Sequence, residues 1–521
     1  MMRSIVPPKW SEPEMSSTPT ASEANLLRKI DLFFNPKSVA IIGASKHLNK
    51  AGNVIFSNFA ENKRRGVFKG ELYPVNPHDD SVLGHKCYPT LKKIPGDIEA
   101  VVIVVPSNFV PDVLSDASEK GVSVCVIITA GFSEIGNYQL EEKVKRIASA
   151  SGIRVLGPNC LGVFDSHTGV DMLFLPETKV LATGEVMVAT PRPMQGKIAM
   201  VSQSGAFGAA ALDYLTGRQI GISKFVSFGN KSDVCEAEML YYLGQDEKTS
   251  TILLYVESID KGRSFMEVAK EVTKNKPIVV LKSGRTNAGA RAAASHTGAM
   301  SGTSAIYDAA FSQVGVMKSS NMEEFFNMGK ALAFQPPARG RNIAIITDAG
   351  GPGVMAADEC ELRGINVKVF SGETTQRFEA LREKGEILKF AQIRNPVDLT
   401  GSATSEMFER TMEILVADDE IHGIIVIGIH HLPAIQEDFV DLVWKVSTKT
   451  VKPIVACDIG ETEMALYIRS KFEKLGIPAY SAPEDTAQAM VALVSYGEYL
   501  EKNKRFDDYL AKFLADSGKA R

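Results

Sequence analysis

Several signals that would assign a class outright are missing from these 521 residues. The six cysteines (Cys87, Cys125, Cys160, Cys235, Cys360, Cys457) are scattered and include no CxxC pair. That excludes a disulfide framework and a thiolate zinc site, and it suits a reducing cytoplasm. Apolar runs such as AVVIVV at 100–105 are strand-length, far short of the ~20 residues of a membrane span. Neither sign of charge dominates, with a net charge of −4, so neither nucleic acid nor an anionic membrane surface is an expected partner. Pro7 and Pro8 follow Arg3 before any apolar segment of a secretion signal develops, and residues 1–24, rich in Pro, Ser and Thr, read as a mobile tail. No Walker-type GxxxxGK[ST] occurs. With 45% hydrophobic and 23% charged residues, what is left is a soluble cytoplasmic chain of several domains, with no metal site assigned.

What is present is one opening, used three times. SVAIIGAS at 38–45, KIAMVSQSGAFG at 197–208 and NIAIITDAGGPG at 342–353 each run from an apolar strand through a Gly/Ser turn into an amphipathic helix. Strand–helix alternation continues after each, and the apolar runs are continuous, as in parallel strands covered on both faces. The Pro-rich stretches PRPMQG and QPPARGR place boundaries near residues 190 and 338. The expected architecture is α/β, with three doubly wound domains in tandem. A tail over 1–29 precedes domains at 30–190, 191–338 and 339–497, and 498–521 form a C-terminal helix and tail. Each Gly-rich turn at a helix start is a candidate anion cradle, because free amides and the helix dipole favour phosphate there. A single such turn is as often mere packing geometry; three in one chain point to a protein that passes phosphate groups between sites.

The segment SHTGAMSG at 295–302 holds His296 between small residues, after the loop GRTNAGARAAA. A segment so poor in bulky side chains forms no core and suits a mobile loop, and an imidazole there is able to attack phosphorus.

These motifs stand in a recognisable order: GASKHLNKAGN (43–53), YPVNP (73–77), ITAGFSE (128–134), GPNCLG (157–162), SQSGAFG (202–208), YVES (255–258), SHTGAMSG, GGPG (350–353) and NPVDLTG (395–401). Over residues 30–495 the chain resembles the ADP-forming acyl-CoA synthetases, the acetate–CoA ligase relatives of succinyl-CoA synthetase. The resemblance implies a Rossmann-like CoA-binding domain followed by two flavodoxin-like domains. In the first, Gly43, Ala44, Ser45 and Lys46 would face the CoA pyrophosphate, with Asn76, Pro106, Ala130, Gly131 and Phe132 also on CoA and Asn159 near the thioester. Relatives place a Lys near His78 and Asp79, so the ribose phosphate would depend on Lys46 or Lys50. One phosphate cradle would be Ser202, Ser204, Gly205 and Ala206, the other Gly350, Gly351 and Gly353. His296 would carry the phosphoryl group, Glu257 would steady the imidazole, and Asp398 would belong to the acyl pocket.

The implied reaction converts acyl-CoA, ADP and phosphate into the acid, CoA and ATP through an acyl phosphate and a phosphohistidine. A nucleotide site of this family's kind is an ATP-grasp module that holds ADP or ATP with Mg2+, on the order of 200 residues by domain-size reasoning. The residues after 497 leave no room for one, so a partner subunit or further segment, and a hetero-oligomer, are expected. Two other classes compete. A dinucleotide-dependent oxidoreductase shares the opening VAIIGAS but needs an acidic ribose ligand where this chain has Asn76. A non-catalytic CoA-binding regulator would need neither His296 nor Glu257. The acid is not specified; the long N-terminal segment hints at a hydroxy acid, such as 4-hydroxybutyrate or 3-hydroxypropionate.

Overall fold

A computed structural model describes residues 20–291 and 304–517. The chain divides into two compact units, Met1–Lys318 and Ser319–Arg521.

The first unit holds two parallel sheets. Strands Ser38–Ile42, Glu71–Val75, Ala100–Ile103, Val124–Ile127 and Arg154–Leu156 form one, in the order second, first, third, fourth, fifth. Gln195–Ser202, Ile222–Ser227, Thr251–Val256, Ile278–Lys282 and Met317–Lys318 repeat that order in the other. The central strands are rich in aliphatic residues and buried along nearly their whole length, as strands with helices on both faces are. This is a doubly wound order that reverses beside the first strand, leaving its ligand crevice at the strand C-termini.

Two features of this unit depart from the expected layout. Strand Val163–Asp165, expected in the first domain, pairs antiparallel with Ile222–Ser227 at the edge of the second sheet. Residues 21–29, expected as tail, lie within the helix Ala21–Asp31. The physical reason is a capping box, with the Glu23 carboxylate accepting from the Thr20 amide at 2.8 Å. Ile30 enters the core, and Asp31 accepts from the Tyr242 hydroxyl at 2.8 Å. A hairpin, Thr178–Val180 with Val186–Val188, stands with every residue exposed.

The second unit contains one sheet in the same order: Asn342–Thr347, Asn366–Val367, Gly423–Ile427, Ile454–Cys457 and Ala479–Tyr480. Val397–Asp398 adds to the end of its first strand. The helix Met322–Phe334, which the linker at 338 assigns to the preceding domain, packs here with the C-terminal sheet. Lys330 donates to Glu473 at 2.7 Å and to the Ala479 carbonyl at 2.6 Å, and the Gln335 side chain accepts the Ile454 amide at 3.0 Å. Among the described residues no helix is long and apolar enough to cross a membrane.

Candidate active site

The first strand–turn–helix shows why its glycines are glycines. Gly43 has φ 93°, and a Cβ there would lie 2.4 Å from the Val104 carbonyl oxygen. A Cβ on Gly52 would lie 2.0 Å from the Gly43 carbonyl oxygen, so the helix Ala51–Arg64 sits directly on the turn. Ala44 is fully buried and Ser45 nearly so, while Lys46 reaches outward. Its ammonium is 3.1 Å from Asp79, and Asn76 bridges the Ala44 carbonyl (2.7 Å) and Asp79 (3.2 Å). The departure at 76–79 thus brings in a carboxylate that engages the lysine expected at the ribose phosphate.

The second turn is built around Ser204. Strand Gln195–Ser202 ends in a buried serine whose hydroxyl donates to the Ser204 carbonyl at 2.6 Å. The Ser204 hydroxyl then accepts from the Phe207 amide at 3.2 Å, capping the helix Gly205–Gly217. The two serines thus shape the turn, with the Gly205 and Ala206 amides at the start of its helix.

A cavity of about 900 Å³ lies between segments of the two sheets. Ala51, Val104, Ile128 to Ala130, Ser133, Glu134 and Asn159 to Leu161 come from loops of the first sheet. Gln203 to Ala206, Gly229 to Lys231 and Glu257, Ser258 and Asp260 come from the second. Of the expected site residues, Ala130, Asn159, Ser204, Gly205, Ala206 and Glu257 line it. Gly43 to Lys46, Asn76, Pro106, Gly131, Phe132 and Ser202 are not among its lining residues. The Phe132 ring is fully buried in the core, and its amide, like that of Gly131, donates to the Glu134 carboxylate. Burial opposes the charge on Glu134, yet these amides and Asn230 outweigh it and hold the acid below its usual range.

Glu257 follows the strand Thr251–Val256 and is almost buried. Gln203 accepts the Glu257 amide at 2.8 Å and the Ser258 amide at 3.0 Å. Lys231 lies beneath, bonded to Glu236 at 2.6 Å. Sequence reasoning did not single out Glu134, Gln203, Asn230 or Lys231. Glu134 and Gln203 lie inside motifs already noted; Asn230 and Lys231 carried no local signal beyond an Asn–Lys pair after a glycine. The Cys160 thiol at the cavity wall is pushed up to about 12 by burial, which opposes thiolate formation there.

His296 lies outside the described residues. In the other unit, Gly350 and Gly351 begin a helix, and Gly353 packs on Thr347. A Cβ on Gly350 would lie 2.7 Å from Asp398 Oδ2, so a carboxylate already stands beside this cradle. Asp348, on the same strand end, is pushed up to about 7 by burial, with Asp458 and Asp398 adding to it and the Ile429 amide opposing. Among the described residues no cluster of three or more His, Cys, Asp or Glu is arranged to hold a metal ion.

Comparison with known proteins covers nearly the whole chain. Family models described as CoA binding domain, succinyl-CoA ligase like flavodoxin domain and ligase-CoA domain match residues 37–165, 195–332 and 343–497. The alpha subunit of an ADP-forming acetate–CoA ligase II from Pyrococcus furiosus is 38% identical over 479 residues, covering 89% of this chain and 97% of that one. An ADP-forming acetate–CoA ligase from Methanocaldococcus jannaschii is also 38% identical, over 91% of this chain but only 64% of its own length. This chain thus spans about two thirds of that longer relative. A solved structure of a dinucleotide-forming acetyl-coenzyme A synthetase 1 from Ca. Korarchaeum cryptofilum, in complex with phosphate and ADP, superposes with a TM-score of 0.81. It is 34% identical and matches 91% of this chain and 98% of that one.

Proposed function

This chain belongs to the family of ADP-forming acetate–CoA ligases, and we propose on that footing that it is the CoA- and acyl-handling part of an ADP-forming acid–thiol ligase. One observation carries the reading: a single cavity is lined from one side by CoA-domain loops and from the other by the Gly205 helix start and Glu257. CoA enters along the Ala51 and Ala130 side, with its thioester near Asn159. A phosphate oxygen, held at the Gly205 and Ala206 amides, attacks the thioester carbonyl carbon. The C–S bond breaks, the CoA thiolate leaves and takes a proton, and an acyl phosphate remains on the cradle. The His296 imidazole then attacks phosphorus, the bond to the acyl oxygen breaks, and the carboxylate departs. Glu257 stabilises the positive charge that the imidazole acquires.

The phosphoryl group finally passes to ADP on an ATP-grasp partner subunit or segment, where Mg2+ accompanies the nucleotide. Relatives named as alpha subunits, and longer single-chain relatives, support a partner of that kind. The first test incubates the chain with acyl-CoA and labelled phosphate. The protein should take up an acid-labile, alkali-stable label, and the label should vanish in His296→Asn. A label unchanged in that variant removes His296 from the mechanism.

A further inference from the structure

Gly229, Asn230 and Lys231 make a turn pressed against the Pro158–Asn159 loop. Gly229 and Lys231 both have left-handed backbone, φ 58° and 55°. A Cβ on Gly229 would lie 2.2 Å from the Pro158 carbonyl oxygen. For a lysine this conformation is unfavourable and is kept only where contacts over-determine it.

Those contacts reach two different parts of the cavity wall. Asn230 Nδ2 donates to Glu134 at 2.7 Å and to Glu141 at 3.0 Å, and its Oδ1 accepts from Asn159 at 3.2 Å. Asn230 therefore grips the loops of the first sheet. Lys231, with a side chain only 3% exposed, donates to Glu236 at 2.6 Å and to the Ser258 carbonyl at 2.9 Å, and pairs with Asp260 at 3.2 Å. Gln203 closes the same corner, taking the Glu257 and Ser258 amides on Oε1 and donating to Ser258 Oγ at 3.4 Å. Burial pulls the ammonium down, but Glu236 and Asp260 outweigh that and hold it above its ordinary range. A compact cation with three N–H donors suits acceptors converging from separate loops.

We propose that Asn230 and Lys231, together with Gln203, are positioning residues that hold Glu257 in register with the CoA-side loop Ala130–Glu134. The role rests on the relay proposed for this cavity. It places the acid where a phosphoryl group generated beside the thioester arrives, without any of the three touching the reacting atoms.

Two variants of the full chain test it. Lys231→Met/Glu236→Gln removes the buried cation and its partner's charge together, so neither is left unpaired. Gln203→Leu breaks the clamp on the Glu257 amide independently. Both are checked by thermal melting, then assayed for CoA affinity by calorimetry and for the rate of labelling from acyl-CoA and labelled phosphate. Each variant should keep CoA affinity within about threefold and label at least about tenfold more slowly, with KM for acyl-CoA little changed, as misplacing one group by about an ångström does. Labelling within about threefold of the unsubstituted chain overturns the role. So does CoA affinity falling in step with labelling, which marks a general structural effect. If the double variant does not fold, Gln203→Leu decides alone on the same criteria. An unsubstituted chain that takes no label sinks the proposed relay and this role with it, whereas a labelled chain with indifferent variants sinks only the role.

Discussion

The side-chain carbonyl of Gln203 accepts the backbone amide of Glu257 at 2.8 Å, tying the end of one strand to the turn after its neighbour. The acid's backbone is thus fixed from the segment that leads into the Gly205 helix. Glu257→Gln keeps this backbone bond and the side-chain shape but removes the charge. Loss of one charge-assisted hydrogen bond, about 1.5–3 kcal/mol, should slow labelling of the protein by ~10–100-fold. CoA affinity should hardly move. Collapse of CoA binding with labelling intact would place Glu257 in a different site.

Gly229→Ala should be far more damaging than an ordinary glycine substitution. Its Cβ meets carbonyl oxygens of Pro158 and Asn159 at 2.2 and 2.4 Å, whereas Gly66, at φ 75°, has open space around it. Gly66→Ala should cost the conformational penalty alone, ~1 kcal/mol. Gly229→Ala should lose roughly 2–4 kcal/mol. Denaturant melts of the two variants side by side give the comparison, and equal losses would mean that the turn is free to move away.

Asp348 gives the C-terminal unit a pH dependence of definite sign. Burial, with Asp458 and Asp398 nearby, pushes the carboxyl up to about 7, while the Ile429 amide partly opposes this. A raised acid binds more protons folded than unfolded, so stability is full below the ordinary carboxylate range and falls as pH rises toward 7. The loss is on the order of 2–4 kcal/mol and levels off above about pH 7. Asp348→Asn should flatten this part of the stability–pH curve, read from melting between pH 4.5 and 8 (an assay range of about that width suffices). The His430 ring nitrogen lies 2.8 Å from Asp458, the carboxylate that adds to the rise of Asp348, so His430→Gln serves as the control. A slope unchanged by Asp348→Asn would contradict the assignment.

Without a partner the chain should not make ATP. Mixed with acyl-CoA, phosphate and Mg-ADP, it should accumulate label and acyl phosphate but no nucleoside triphosphate. Sustained ATP formation at an ordinary enzymatic rate would put the nucleotide site within these residues.

The strand–turn–helix openings were legible because burial on both faces writes itself as continuous Val/Ile runs, and because Gly43 and Gly52 leave no space for a side chain. The positions of Glu257 after a strand and of Gly205 at a helix start were legible in the same way. The buried Lys231–Glu236–Asp260 group was not, since polar contacts between loops obey no period and a lysine in sequence looks like a solvated one. The helix Ala21–Asp31 hid beneath a Pro/Ser/Thr-rich composition, though Thr20 and Glu23 carried its capping signal. Val163–Asp165 was read by position in the chain, and nothing in three residues announces an antiparallel partner.

That last strand bears on how the chain is made. Asp165 pairs with Lys224, so a growing polypeptide exposes the strand well before its partner has been synthesised. The five parallel strands ending at Leu156 are complete by then and can close first, as N-terminal domains do during synthesis. The outermost strand of the next sheet is therefore made before the strand it pairs with. A ribosome pausing between these two points has released the edge strand of a sheet whose remaining strands are still to come.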